Sequence, residues 1–186
     1  MSSAFVGIQS NLIGAATGSV SITPPVFLGG FQLTANATAF PSIAIPAFNS
    51  LQVNLFITGY GGSDVVSLQF NGDTGTNYAD RTITAVAGGV VLVDTPTSST
   101  TLLRCGLPTA QGRVAQVNIL NNATRRKVVV VNNQIGAADA TAPATITLGA
   151  LGLWNNTTAQ ITSILCLTAG GLNILTGSSI TVWGSF

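Results

Sequence analysis

The chain has 186 residues but only 11 charged side chains, six basic and five acidic, and its formal net charge is +1. A soluble chain of this length with average composition carries about 46 charged residues, so neither a self-repelling disordered polymer nor a polybasic nucleic-acid surface fits. His and Glu are absent, which excludes Ser-His-Asp, Cys-His and His-rich metal sites built from this chain alone.

Thr, Ser, Asn and Gln supply 61 residues, enough neutral hydrogen-bonding groups to cover a surface without ions. Size scaling predicts one domain that buries about 70% of its unfolded surface. Mean hydropathy is positive, +0.53, yet Gly, Thr, Asn or Ser interrupts every apolar run well short of the 18 or so residues a membrane helix needs. No basic start precedes an apolar block in the first 20 residues, so no secretory signal is read there.

Residues 1–63 contain no charge, and the segment before residue 31 is rich in Gly, Ala and Pro. We expect residues 1–30 to form an N-terminal arm that gains order on a neighbour, and residues 31–186 to form the folded domain. Short β-type runs then follow one another, punctuated by Gly, Pro, Asn and Ser. Phe27 to Thr34 is the first. Leu51 to Thr58 alternates, with Leu51, Val53 and Leu55 on one face and Gln52 and Asn54 on the other. Val65 to Phe70, Arg81 to Val86 and the short apolar run Val90 to Val93 come next. Val114 to Leu120 alternates again, Lys127 to Val131 is apolar enough for a sandwich interior, and Thr145 to Leu148, Gln160 to Leu167 and Ser179 to Trp183 complete the set. Gln134 to Ala144 reads as a loop because Pro143 and its Thr neighbours oppose a helix. Roughly ten strands at this spacing predict an all-β sandwich of two antiparallel sheets.

Between Phe70 and Tyr78 lie Asn71, Gly72, Asp73, Thr74, Gly75 and Asn77, most of them residue types that accept left-handed backbone angles or bond their own main chain. The segment reads as a turn whose aromatic ends return to one core. Further on, Trp154, Thr158, Ala159, Ile161, Thr162, Ser163 and Ile164 form a second phrase, followed by Asn173, Gly177, Ser178, Trp183 and Gly184. Both indoles are large apolar anchors that each need one hydrogen-bond acceptor. Arg125, Arg126 and Lys127 form the single basic cluster, too small for a nucleic-acid stripe, and read as a solvated edge. Cys105 and Cys166 either pair or stay reduced, and they have no metal spacing. The four Asn-x-Thr triplets, at Asn36, Asn122, Asn155 and Asn156, are what 14 Asn and 24 Thr produce by chance.

The Phe-Asn-Gly-Asp-Thr-Gly-x-Asn-Tyr phrase at 70–78, the Trp154 to Ile164 phrase, the Gly-Ser and aromatic-Gly ending, and Phe40-Pro-Ser-Ile-Ala-Ile-Pro upstream occur here in the order found in jelly-roll structural proteins of tailed bacteriophages. The chain resembles that family over about residues 31–186, with Ile174 where an aromatic is usual. The resemblance implies a jelly-roll β-sandwich and a non-enzymatic virion protein. Its expected role is a decoration or cement subunit, trimeric, seated on the major capsid protein at the capsid surface and made in the host cytoplasm. No cofactor, metal, membrane or nucleic acid is implied. A tail or head fibre module that binds a host-surface glycan is the alternative, with Tyr60, Tyr78, Trp154 and Trp183 as its candidate stacking faces. Asp73 paired with Asp64 or Asp80 would be needed for a two-carboxylate glycosidase, and Asn71, Asp73 and Asn77 offer Ca²⁺ a single carboxylate; Asp in such a turn is more often structural.

Overall fold

The computed structural model describes residues 24–186 apart from 87–90, 94–96, 107 and 136–144. It is all-β, with two antiparallel sheets. The strands are β1 (Val26–Gln32), β2 (Ile43–Ala44), β3 (Ser50–Asp64), β4 (Val66–Phe70), β5 (Tyr78–Val86), β6 (Val91–Val93), β7 (Thr97–Thr100), β8 (Leu103–Arg104), β9 (Thr109–Leu120), β10 (Lys127–Ile135), β11 (Thr145–Trp154), β12 (Ser163–Thr168) and β13 (Ser179–Ser185). The large sheet runs β1-β13-β3-β9-β10-β11-β5-β6, with β7 also on β5, and the small one runs β2-β12-β4-β8.

Each run read from the sequence falls on a strand. The differences lie at the margins. β3, β9 and β11 extend well beyond their apolar runs, and the short β2, β7 and β8 add pairings that carry little hydrophobic signal. Residues 26–30, assigned to the arm by composition, belong to β1, where Gly30 and Phe31 align with Thr181 and Ile180 of β13. Pro24 and Pro25 lead into β1 and are exposed; residues 1–23 of the arm lie outside the described residues, as does most of the loop expected at 134–144.

The core forms where inward positions of the two sheets meet. Val53, Leu55, Val117, Val129, Val131, Ile180 and Val182 of the large sheet pack with Ile43, Leu68, Phe70 and Ile164 of the small one, all at most 4% exposed. Alternation is strict on β9, where Ala115, Val117 and Ile119 are buried while Val114, Gln116, Asn118 and Leu120 are exposed. β10 departs from expectation. Its Val128 to Val131 run is uniformly apolar, yet only Val129 and Val131 are buried, and Val128 and Val130 stay 39% and 37% exposed because nothing among the described residues covers the outer face there.

The sheets are also tied by polar contacts. Asp80 of β5 pairs with Arg104 of β8 at 2.8 Å and also accepts the Arg104 amide. Asp64, at the corner between β3 and β4, accepts the amides of Val65, Gly170 and Leu172 at 2.7–3.0 Å. Arg113 of β9 donates to the Cys105 carbonyl at 2.8 Å and lies 5.9 Å from the Tyr60 ring centre. Cys105 and Cys166 are both buried thiols with no disulfide between them. Burial pushes the Cys105 thiol up to about 12 and raises Cys166 well above its usual range, so both are protonated and inert at neutral pH.

Candidate functional site

The crossing from β4 of the small sheet to β5 of the large one is the 70–78 loop, and it begins with a tight turn. Asn71 and Gly72 have φ of 54° and 65°, and the Asp73 amide donates to the Phe70 carbonyl at 2.9 Å. Two successive positive φ values with that bond make a type I′ turn, which explains Asn-Gly at its centre. The Asn71 side chain then bonds along the segment that enters the neighbouring strand β12. Its Nδ2 donates to the Gln160 carbonyl at 2.8 Å, and its Oδ1 accepts the Thr162 and Ser163 amides at 2.7 and 3.1 Å.

Asp73 is the hub of the loop. Its carboxylate accepts Trp154 Nε1 at 2.7 Å, Asn77 Nδ2 at 3.0 Å and the Gly75 amide at 2.9 Å. Burial acting alone would raise this carboxyl, but the hydrogen bonds from Trp154, Asn77 and Gly75 outweigh it and hold it below its ordinary value. Beneath it, Phe70, Tyr78 and Trp154 form an aromatic triad with ring centres 5.7–6.4 Å apart. Tyr78 and Trp154 are cross-strand partners on β5 and β11. The Tyr78 hydroxyl accepts the Phe70 amide at 2.9 Å and lies 3.2 Å from the Asp73 carbonyl, to which it donates. Burial pushes its phenol up to about 12. Thr74 and Gly75 are exposed at the tip.

The two phrases singled out from the sequence therefore meet. Trp154, Thr162 and Ser163 bond directly to the 70–78 loop, and Ile164 aligns with Phe70 between β12 and β4. Thr158 and Ala159 donate their amides to Asn156 Oδ1, which shapes the turn between β11 and β12. Ile161 is buried, its amide 2.6 Å from Asn121 Oδ1. The last part of the second phrase lies elsewhere. Gly177, at φ 86°, donates to the Leu33 carbonyl, while Ser178 Oγ donates to Leu175 and accepts the Thr58 amide. Asn173 accepts the Gly61 amide through its carbonyl. Trp183 is half-buried and meets Phe27 edge-on at 5.2 Å. A Cβ on Gly184 would come within 2.6 Å of the Phe48 ring, so that strand needs Gly where it crosses the aromatic.

Three findings correct the reading of single residues. Lys127, expected on a solvated edge, is fully buried; its Nζ donates to the Asn156 carbonyl at 2.7 Å and sits 5.3 Å from the Trp154 ring centre, while Arg125 and Arg126 are exposed as anticipated. Tyr60, Tyr78 and Trp154 are at most 4% exposed, so of the four aromatic faces considered for a glycan only Trp183 reaches solvent. Of the oxygens considered for Ca²⁺, those of Asp73 already accept from Trp154, Asn77 and Gly75, and that of Asn71 accepts from Thr162 and Ser163. Likewise Asp64 and Asp80 are each bound into the fold as described, and no group of three or more His, Cys, Asp or Glu converges among the described residues.

Asn121 was not legible in advance. It is fully buried and stitches three segments, donating to the Phe48 and Ile161 carbonyls while accepting the Ile161 amide. Nothing local marks it among 14 Asn. What the whole arrangement does is lock: polar groups of the loop are spent on backbone and on one another. No family model, curated protein or solved structure matches the chain.

Proposed function

We propose that the chain is a non-enzymatic structural subunit of a tailed-phage virion, a jelly roll that assembles as a homotrimer and decorates and cements the capsid shell. One observation carries the reading. The two phrases on which the resemblance rests, as far apart as Asp73 and Trp154, 81 positions, fold into one hydrogen-bonded cluster whose side chains serve architecture. Supporting it, the chain passes repeatedly between sheets, at β3–β4, β4–β5, β8–β9 and β12–β13, as crossing connections of a jelly roll do.

Such a subunit works by area. Surface buried across neighbouring capsid subunits exists only in the assembled lattice, so binding stabilises that state by mass action. A nearly uncharged protein suits this contact because few ions lose water on docking. The test is add-back to shells that lack the protein, with copy number from quantitative mass spectrometry and position from electron cryomicroscopy. We expect lattice-matched occupancy and a higher temperature of shell disruption. A handful of copies at the tail would instead support the glycan-binding fibre module, for which Trp183 and its neighbour Phe27 are the exposed aromatic pair.

A further inference from the structure

The small sheet covers one face of the large sheet; the opposite face carries an unusual surface. Through the cross-strand registers, Leu120, Val128 and Leu153 form one outward row across β9, β10 and β11, and Val130 and Leu151 lie in the next. All five are exposed, from 37% at Leu153 and Val130 to 61% at Leu120. Beside them the outward positions are amides: Gln52 and Asn118 continue the second row, and Asn54, Gln116 and Asn132 form a third.

Charge on this face lies at its β5 margin, where the exposed Arg81 aligns with Leu151. Strands β13, β3, β9, β10 and β11 contain three charged residues, Asp64, Arg113 and Lys127, and each is at most 3% exposed. A sheet face that stays in water ordinarily carries Lys or Glu, which guard against association. Here, among the described residues, the ions of these strands are turned inward while leucines and valines point out.

We infer that this outer face of β3, β9, β10 and β11 is the surface through which copies of this chain associate. Area supports a second copy as the occupant. With β13 beside them and a fourth outward row of Ser179, Phe56 and Val114, five strands about 4.8 Å apart and four rows about 6.8 Å apart give a patch of roughly 600 Å², and two such patches bury about 1,200 Å², where specific stable interfaces begin. The chemistry is self-complementary too. Apolar rows match apolar rows, and an Asn or Gln amide both donates and accepts, so amide rows pair with their own kind. Two near-neutral copies bring no like-charge repulsion, whereas a charged partner would strand ions against this surface.

The inference rests on the self-association part of the proposed function and not on the capsid contact, and it differs from the trimer there, because a face that pairs with its own kind closes two copies about a two-fold axis. It is tested by sedimentation velocity on the purified full chain, wild type beside Leu151→Glu and, as a milder change that keeps the sheet, the double variant Val128→Thr with Leu151→Asn. Circular dichroism checks that each variant is folded. The wild type is expected to sediment as a discrete oligomer, Leu151→Glu as a monomer, and the double variant with association weakened at least about tenfold. A wild type that stays monomeric at about 100 µM, a strength far below a stable complex, would overturn the inference. So would a folded double variant with unchanged association. A monomeric wild type that binds shells, with that binding lost in Leu151→Glu, would assign the face to the capsid instead, while an intact oligomer that ignores shells would remove the cement role and leave this interface standing.

Discussion

The carboxylate of Asp73 shows how a residue that looks decorative in a turn becomes structural. Three donors converge on it, and the shortest bond comes from an indole that is 1% exposed. Trp154→Phe deletes that donor and also leaves a gap where the second ring of the buried indole was, so the cost is expected to exceed the about 1.5–3 kcal/mol of a hydrogen bond to a charged group; chemical denaturation of the two proteins measures it. Acid adds a second check. The folded Asp73 carboxyl titrates below its ordinary value of 3.8, so the unfolded chain takes up the proton first as pH falls, and the stabilisation is complete above the ordinary value and lost on descending through the folded one. The stability difference between wild type and Asp73→Asn is therefore expected to be constant above about pH 5 and to shrink progressively below about pH 4. A difference that is flat down to pH 2, by about the same denaturation series, would mean that the charge is not what the three donors hold.

At the scale of elements, the Asn71-Gly72 turn separates backbone conformation from side-chain stitching. A Cβ at Gly72 meets nothing within 4 Å, so Gly72→Ala costs only the left-handed backbone penalty, about 1–2 kcal/mol. Asn71→Gly keeps the backbone angle free but removes four hydrogen bonds to residues 160–163, and we expect about 1–3 kcal/mol, since water reaches part of that segment. If Asn71→Gly were neutral in equilibrium unfolding, the stitch between loop and strand would not contribute. This contrast also marks how far sequence reaches. The turn was legible because Asn-Gly is required by positive φ, and the strands were legible because alternation and Gly or Pro punctuation are local. Which strands become neighbours was not, since period-2 alternation states a face but no partner. Lys127 was misjudged for a related reason: its burial depends on Trp154 and Asn156 arriving from β11 and the turn after it, nearly 30 residues downstream.

Across the whole molecule, ionisable groups are drawn inward to an unusual extent. Asp64, Asp80, Arg113 and Lys127 are buried out of 11 charged residues in all, so the surface is even less charged than the composition suggests. The two tyrosines, the only ones in the chain, and both cysteines are buried as well. Desolvation pushes Tyr60, Tyr78 and Cys105 up to about 12 and Cys166 well above its usual value. For each, the folded pKa exceeds the unfolded one, about 10 for Tyr and 8.5 for Cys. Their contribution to stability is thus complete below the unfolded values and is lost as pH rises toward the folded ones, because the unfolded chain gives up its protons first. Burial lowers Lys127 and Arg113, which work in the opposite sense but are two groups against four. Stability is therefore expected to fall steeply between about pH 9 and pH 12. Because both phenols are inside, tyrosinate absorbance should lag behind that of free tyrosine and then rise together with loss of the β-sheet circular dichroism signal. Normal ionisation near pH 10 in a still-folded protein, about where free Tyr titrates, would show that Tyr60 and Tyr78 open to solvent without global unfolding, and the aromatic triad under Asp73 would then be a local closure and not part of the cooperative core.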